Sequence, residues 1–179
     1  MRYDMHCHLD FYPQPAVLAD CLAALDIGGL SVTVLPDDYV RAKAALKGAR
    51  TFQVGAGLHP WWIAADEVAA RTQAADLLEL LSDTRFVGEI GLDTSAHAAA
   101  PLEVQRAVFR QIVGACARLG GKVLSLHGVR AVPTLLDELE ASGVTRTCTC
   151  IFHWFSGSSA DLVRARDLGC MFSVGSRML

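Results

Sequence analysis

The sequence of 179 residues lacks several features that mark specialised classes of protein. It has a net charge of −3 and no run of like charges, so no general electrostatic surface for nucleic acid or membrane is predicted. No signal peptide opens the chain, and no apolar run approaches the ~18 residues that a membrane-spanning helix needs. A local phosphate site stays open, because a bound metal ion can supply the positive charge that the composition lacks.

Cysteine pairs of the CxxC type are also absent, although there are six cysteines. Several of the six lie within apolar segments, where a reduced cysteine behaves as a small hydrophobic residue. We therefore expect a reduced, cytoplasmic protein. Hydrophobic residues make up 52% of the chain and charged residues 20%, as in ordinary globular proteins. No linker or shift in composition divides the sequence, so residues 1–179 are predicted to form a single domain.

Short segments rich in β-forming residues alternate with segments that have helical spacing. This rhythm is typical of βαβ units around a parallel sheet, and it predicts an α/β fold of the TIM-type (β/α)8 barrel. A complete barrel needs eight strands and ~200 residues or more, so we expect about seven strands, without the C-terminal β8/α8 segment. The predicted strands are 2–9, 30–35, 51–59, 85–92, 122–127, 147–154 and 170–175, and the predicted helices are about 15–25, 38–47, 65–82, 101–119, 131–142 and 158–168.

Residues that bind metals fall at or near the ends of these strands. The carboxyl ends of the strands of a parallel barrel open on one face, where the active site lies, so such residues would converge in space. Residues two apart on a strand share a face, and imidazole with carboxylate suits zinc, manganese or iron. The residues concerned are His6 and His8 on the first strand, His59 on the third, Glu89 on the fourth, His127 on the fifth and His153 on the sixth.

Each of these residues, taken alone, also has an ordinary explanation. Two histidines separated by one residue occur by chance, and Glu89 has the option of a structural ion pair. His127 alone fits a core histidine with satisfied hydrogen bonds, and His153 fits packing beside Trp154. The repeated placement at successive strand ends favours a metal site, and a carboxylate in the apolar stretch around Glu89 is costly unless it is paired or bound to a cation.

Several stretches of the sequence are similar to one known family. They are MHCHLD (5–10), GLHP (57–60), VGEIGLD (87–93), QRAVFRQIVGACARLGGKVLSLH (105–127), FHWFSGS (152–158) and LGCMFSVG (168–175). The sequence resembles the TatD family of metal-dependent hydrolases, within the amidohydrolase-like barrel superfamily. The runs HCHLDFYP, HWFSGS and LGCMFSVG are most similar to the QatD subgroup, which belongs to a bacterial anti-phage operon with an ATPase and a QueC-like protein.

The resemblance implies two divalent metal ions, which would be Mg, Mn or Zn. It makes His6 and His8 ligands of one ion, and His127 and His153 ligands of the other. Glu89 would bridge the two ions and act as the catalytic residue. The family's further aspartate, in a stretch like TETDxP after the eighth strand, has no counterpart here, so we expect weak binding of the first ion and poor catalysis.

Two further residues are expected to bind substrate. His59 follows the third strand with Trp61 and Trp62, which would rim the pocket and stack on a base or else pack onto loops. Arg130 corresponds to an arginine that the family often places one residue nearer to the histidine of the fifth strand, and that would contact phosphate.

The resemblance implies hydrolysis of phosphodiester bonds in DNA or another nucleic acid, in bacterial anti-phage defence. The expected partners are the substrate and the other proteins of the Qat operon, a QueC-like protein and an ATPase, with no membrane. Two alternatives stay open. One is a catalytically weakened or regulatory subunit of a multiprotein complex, and the other is a small-molecule amidohydrolase or deaminase on the same scaffold.

Overall fold

A computed structural model describes residues 1–175 and shows a parallel sheet of seven strands that curls into a nearly closed barrel. The strands follow one another in chain order around the sheet, and every neighbouring pair is parallel. The predicted α/β barrel fold is therefore confirmed. The strands are β1 (Arg2–Cys7), β2 (Ile27–Val32), β3 (Phe52–Leu58), β4 (Phe86–Asp93), β5 (Val123–Val129), β6 (Thr149–His153) and β7 (Met171–Ser173).

Helices connect successive strands, as parallel pairing requires. None of the helices in residues 1–175 is both long and apolar enough to cross a membrane. They are α1 (Pro15–Ala24), α2 (Pro36–Ala45), α3 (Glu67–Leu80), α4 (Leu102–Leu119), α5 (Val132–Ser142) and α6 (Ser159–Asp167), with 3₁₀ turns at Leu9–Phe11, Pro60–Trp62 and Val144–Arg146.

The second strand begins and ends three residues earlier than its predicted range of 30–35. Its first half contains Gly28 and Gly29, and glycine weakens the sequence signal of a strand. The structure needs small residues there, because a side chain at Gly29 would overlap the carbonyl oxygen of Asp4 on β1. Tertiary contact with β1 therefore outweighs the low β-propensity of glycine.

Helix α4 contributes much of the core between the sheet and the outer helices. It contacts α3, α5 and β4, and its buried face includes Phe109, Ile112, Val113 and Cys116. Phe109 is only 1% exposed and is among the largest fully buried side chains. Helical spacing of apolar residues in this segment thus reflects packing onto the barrel.

Replacing Phe109 with alanine is expected to lower the free energy of unfolding by about 3–5 kcal/mol, because it removes buried apolar contacts and leaves a cavity. Urea unfolding followed by circular dichroism measures the change. Val68→Ala is the matched control, since Val68 is 73% exposed on α3 and its truncation should change stability by less than about 0.5 kcal/mol. Equal effects of the two substitutions would contradict this account of the core.

The described sheet starts at β1 and ends at β7, and a cavity of about 740 Å³ lies along these two strands. Its lining includes Tyr3, Met5, His6, Phe172 and Val174. β1 is accordingly the most exposed of the long strands. The expectation about a segment after β7 lies outside the described residues.

Candidate metal centre

The structure brings the predicted metal ligands together at the carboxyl ends of the strands. They line one pocket of about 620 Å³. Each is placed by a strand or by the residue that follows one, which is why ligands far apart in the sequence meet. The pocket includes His6 on β1, His8 after β1, His59 after β3, Glu89 on β4, His127 on β5 and His153 at the end of β6.

Glu89 lies at the centre of this pocket, and its side chain is 6% exposed. Its Oε1 lies 2.8 Å from Nδ1 of His127, 2.7 Å from Nε2 of His153 and 3.3 Å from Nε2 of His59. Its Oε2 lies 3.3 Å from Nε2 of His8 and 3.6 Å from Nε2 of His6. One buried carboxylate is thus surrounded by five imidazoles.

The protonation of these groups suits a cation site. Burial opposes ionisation of Glu89, but hydrogen bonds from His127, His153, His59 and His8 outweigh it and hold the pKa of this carboxyl well below its usual range. Burial and the neighbouring His153 lower the pKa of His6 to about 3. Burial likewise lowers the pKa of His59. For His127, burial opposes protonation, but hydrogen bonds to Glu89 and Asp93 outweigh it and raise the pKa of this ring. An anionic carboxylate beside neutral imidazoles such as that of His6 is a donor set that a divalent transition metal binds.

Two groups of three residues each bring one ligand atom to within 4.8 Å of one another. His6, Glu89 and His153 form one group, and His59, Glu89 and His127 form the other. Glu89 belongs to both, which is the position expected of a bridging ligand. The two oxygens of Glu89 divide the histidines in the grouping that the resemblance implies, since His6 and His8 lie nearest Oε2 and His127 and His153 lie nearest Oε1. The rings of His6 and His153 also stack, with centroids 3.7 Å apart.

Ser125 connects His6 with His153 and was missed by the sequence reasoning. Its Oγ lies 3.0 Å from Nδ1 of His6 and 3.2 Å from Nδ1 of His153. The hydroxyl therefore occupies the Nδ1 side of both rings and leaves both Nε2 atoms facing Glu89. Its place in the site could have been inferred from the spacing, because Ser125 lies two residues before His127 and therefore shares its face of β5.

Asp93, at the end of β4, is a second buried carboxylate that the sequence reasoning did not assign to the site. It is fully buried, and its Oδ2 lies 2.9 Å from Nε2 of His127 and accepts a hydrogen bond of 2.6 Å from Nε1 of Trp61. Burial opposes its ionisation, but hydrogen bonds from Ser95, His127 and Trp61 lower the pKa of Asp93 to about 2. The GLD motif and the even spacing from Glu89 were the signals that point to it.

The two predicted substrate-binding residues lie in different surroundings. His59 is buried in the pocket, where its Nδ1 accepts a hydrogen bond of 3.1 Å from the backbone N–H of Trp61. Arg130 is exposed and is not among the described residues that line the pocket. Its backbone has a positive φ of 52°, and its carbonyl oxygen accepts a hydrogen bond from the hydroxyl of Thr94. Its role in phosphate binding stays a prediction.

Aromatic side chains surround the mouth of the pocket. Phe11, Trp61, Trp62 and Trp154 all line it and are 62%, 39%, 54% and 58% exposed. The ring of Phe11 stacks on His8 with centroids 4.6 Å apart. No lysine or arginine in residues 1–175 lines the pocket.

With this geometry described, comparison with known proteins decides the family. A sequence model of the family described as "TatD related DNase" matches residues 3–179. The chain belongs to the TatD-related DNase family. The predicted family is therefore confirmed.

Solved structures of TatD proteins have the same fold. The TatD homologue YjjV from Escherichia coli K12 superimposes with a TM-score of 0.78 at 25% identity, over 96% of this chain and 66% of that one. A TatD family hydrolase from Entamoeba histolytica superimposes with a TM-score of 0.76 at 14% identity, over 96% of this chain and 64% of that one. The chain thus spans about two thirds of the length of both. No curated protein matches its sequence.

Proposed function

We propose that this TatD protein is a divalent-metal-dependent phosphodiester hydrolase that acts on DNA or another nucleic acid. The observation that carries the proposal is Glu89, a buried anionic carboxylate shared by two groups of histidines. Two cations held a few ångströms apart suit a phosphodiester, because both the attacking and the leaving oxygen need stabilisation.

Different residues of the pocket would bind the two ions. Glu89 would bridge the two ions, with His127 and His153 beside its Oε1 and His6 beside its Oε2. His8 adds an Nε2 atom beside the same carboxylate. When bound, the ions lower the pKa of a coordinated water and neutralise charge on the phosphate. The protein positions these donors and supplies the surrounding apolar walls.

The aromatic rim supports a substrate that carries bases. Phe11, Trp61, Trp62 and Trp154 expose ring faces around the pocket, and stacking of a base on such a ring contributes about 1–3 kcal/mol. Because no lysine or arginine of the described chain lines the pocket, contact with a long phosphate backbone is not favoured there. A short or unpaired nucleic-acid end fits these features best.

Hydrolysis assays with the metal-free and metal-loaded protein test this function. The protein is treated with EDTA, dialysed, and supplied with Mg, Mn or Zn before incubation with single-stranded and duplex DNA, RNA, and a chromogenic phosphodiester. We expect hydrolysis only with a divalent ion, and none after EDTA. Nucleosides and amides serve as substrates for the deaminase and amidohydrolase alternative. Turnover of these compounds without cleavage of any phosphodiester would overturn the proposal.

The exposed strands β1 and β7 favour a second candidate function, in which the chain is a regulatory or weakened subunit of a larger complex. Tyr3, Met171 and Val174 are 66%, 58% and 63% exposed along this opening, and an unpaired strand edge is a ready site for a partner. The proposed partners, a QueC-like protein and an ATPase of an anti-phage operon, rest on the resemblance of the sequence alone.

Co-expression with these two proteins, followed by gel filtration, tests the subunit function. A stable complex whose formation is lost on Met171→Lys would support it, with the exposed Val68→Lys on α3 as control. Free elution of all three proteins would contradict it.

We also propose a cytoplasmic location, since all six cysteines are free thiols, as a reducing compartment keeps them.

A further inference from the structure

His127 is held between two carboxylates that compete for the protons of its ring. Its Nδ1 lies 2.8 Å from Oε1 of Glu89, and its Nε2 lies 2.9 Å from Oδ2 of Asp93. A histidine that binds a cation is neutral and keeps one N–H, so one ring nitrogen donates to a carboxylate while the other offers a lone pair.

The surroundings of the two carboxylates decide which nitrogen carries the proton. Asp93 is fully buried, and its Oδ2 accepts a hydrogen bond from the indole N–H of Trp61. This oxygen therefore already acts as a hydrogen-bond acceptor within the protein. Glu89 belongs to both groups of possible ligands. In the metal-bound protein the single proton of His127 therefore belongs on Nε2, towards Asp93, and the lone pair of Nδ1 faces the cation site beside Glu89. A carboxylate behind a ligand histidine is the usual way in which proteins fix this orientation.

His59 has the same tautomer but presents its other ring nitrogen, Nε2, to Glu89. Its Nδ1 accepts the backbone N–H of Trp61 at 3.1 Å, so the lone pair of the ring is on Nδ1. The N–H of the neutral ring is then on Nε2, which lies 3.3 Å from Oε1 of Glu89. A ring nitrogen that carries a proton does not bind a metal ion. His59 thus lies within reach of Glu89 and His127 without offering them a third ligand atom.

We propose that Trp61 and Asp93 are positioning residues that fix the same Nε2–H tautomer in two histidines, of which His127 presents Nδ1 to Glu89 and His59 presents Nε2. His127 becomes a metal ligand through Nδ1, and His59 becomes an N–H donor that points into the pocket through Nε2. Trp61 contributes to both, because its backbone N–H contacts His59 and its indole N–H contacts Asp93. The inference rests on the proposed metal-dependent hydrolysis, in which the Nε2–H of His59 would donate to an oxygen of the bound phosphate.

The 3₁₀ turn Pro60–Trp62 makes this arrangement possible. It follows β3 directly, so Trp61 lies beside the strand end that carries His59 and reaches across to Asp93 at the end of β4. The main chain of Asp93 is held in turn by Gln105, whose side chain accepts the N–H of Asp93 at 2.9 Å and donates to its carbonyl oxygen at 2.8 Å. Three elements of the barrel therefore fix the two rings relative to each other.

Nitrogen NMR of histidine-labelled, zinc-loaded wild-type protein tests the tautomers directly. We expect His127 to have a protonated Nε2 and a metal-shifted Nδ1, and His59 to have a protonated Nε2 and an unshifted, unprotonated Nδ1. His127→Ala and His59→Ala assign the signals. Zinc coordination of His127 through Nε2, or any coordination by His59, would overturn the proposal.

Metal affinity of two variants provides the second test. Asp93→Asn replaces a carboxylate, which accepts hydrogen bonds at both oxygens, with an amide whose nitrogen cannot accept a hydrogen bond. We expect the affinity for Zn²⁺, measured by competition with a chelating dye, to fall about 10–100-fold. His59→Gln should change that affinity by less than about threefold, while lowering phosphodiester hydrolysis. Circular dichroism establishes that both variants are folded.

These readouts separate the inference from the proposed function. The tautomers and affinities are measured without any substrate, so the expected NMR pattern together with no hydrolysis would overturn the function and leave the inference intact. Wild-type affinity in Asp93→Asn, or loss of a bound ion in His59→Gln, would overturn the inference even in a protein that hydrolyses DNA. If Asp93→Asn is unfolded, the wild-type NMR pattern decides alone.

Discussion

Substituting Glu89 with glutamine is expected to lower phosphodiester hydrolysis by about a thousandfold or more, which corresponds to about 4 kcal/mol of lost transition-state stabilisation. Glu89 is the residue common to both groups of possible ligands, and its carboxylate lies within 3.6 Å of five imidazoles. A neutral amide keeps the shape of the side chain but removes the negative charge that would hold two cations together. Bound metal should fall in parallel, measured by elemental analysis of dialysed protein.

Glu79→Gln is the matched control, because Glu79 is an exposed residue of α3 and undergoes the same chemical change. It should retain full metal content and activity. Thermal unfolding of both variants establishes that they are folded. Wild-type metal content in Glu89→Gln would show that Glu89 is not the shared ligand, and the two-ion interpretation would have to be abandoned.

Replacing Gly91 with alanine is expected to lower the free energy of unfolding by about 3 kcal/mol or more and to disrupt the site at the same time. Gly91 pairs with His127 across β4 and β5, and its φ of 154° is one that other residues rarely adopt. A methyl group there would overlap the carbonyl oxygen of His127. The strand that carries His127 would have to move away from the one that carries Glu89.

Chemical unfolding and zinc affinity measure the two consequences of Gly91→Ala. A loss of about 3 kcal/mol in a domain of this size lowers the melting temperature by roughly 6–12 °C. Gly48→Ala is the control, since an added methyl group at Gly48 meets nothing within 4 Å and should leave both quantities unchanged. An unchanged zinc affinity in folded Gly91→Ala would contradict the close dependence of the site on β4–β5 pairing.

Most of the architecture was predictable from local pattern. Apolar β-forming runs separated by helical spacing predicted seven parallel strands, and residues such as Phe109 on α4 mark the buried helix faces. The main error was the second strand, where Gly28 and Gly29 hid the start. That segment is a strand because β1 approaches it closely, and a single-sequence pattern contains no information about this approach.

The convergence of the site was also predictable, because parallel strands present their carboxyl ends on one face. His6, His127 and His153 could be selected from the sequence because each lies at or near such an end, and Glu89 because it is a carboxylate within an apolar strand. The sequence pattern could not predict which side chain each histidine ring contacts. The stacking of His6 on His153 depends on how far the barrel curls, and it brings together residues 147 positions apart.

The chain by itself therefore determined the fold, the face on which the site lies, and the residue types available to bind cations, because these follow from periodicities of two and 3.6 residues and from strand direction. Only the tertiary structure decided which ring nitrogen faces Glu89 in His6, His59, His127 and His153. That choice is made by Ser125, Asp93 and the backbone of Trp61, which contact the far sides of the rings. Hydrogen-bond direction depends on positions to within a few tenths of an ångström, and only packing of the whole barrel fixes positions so closely.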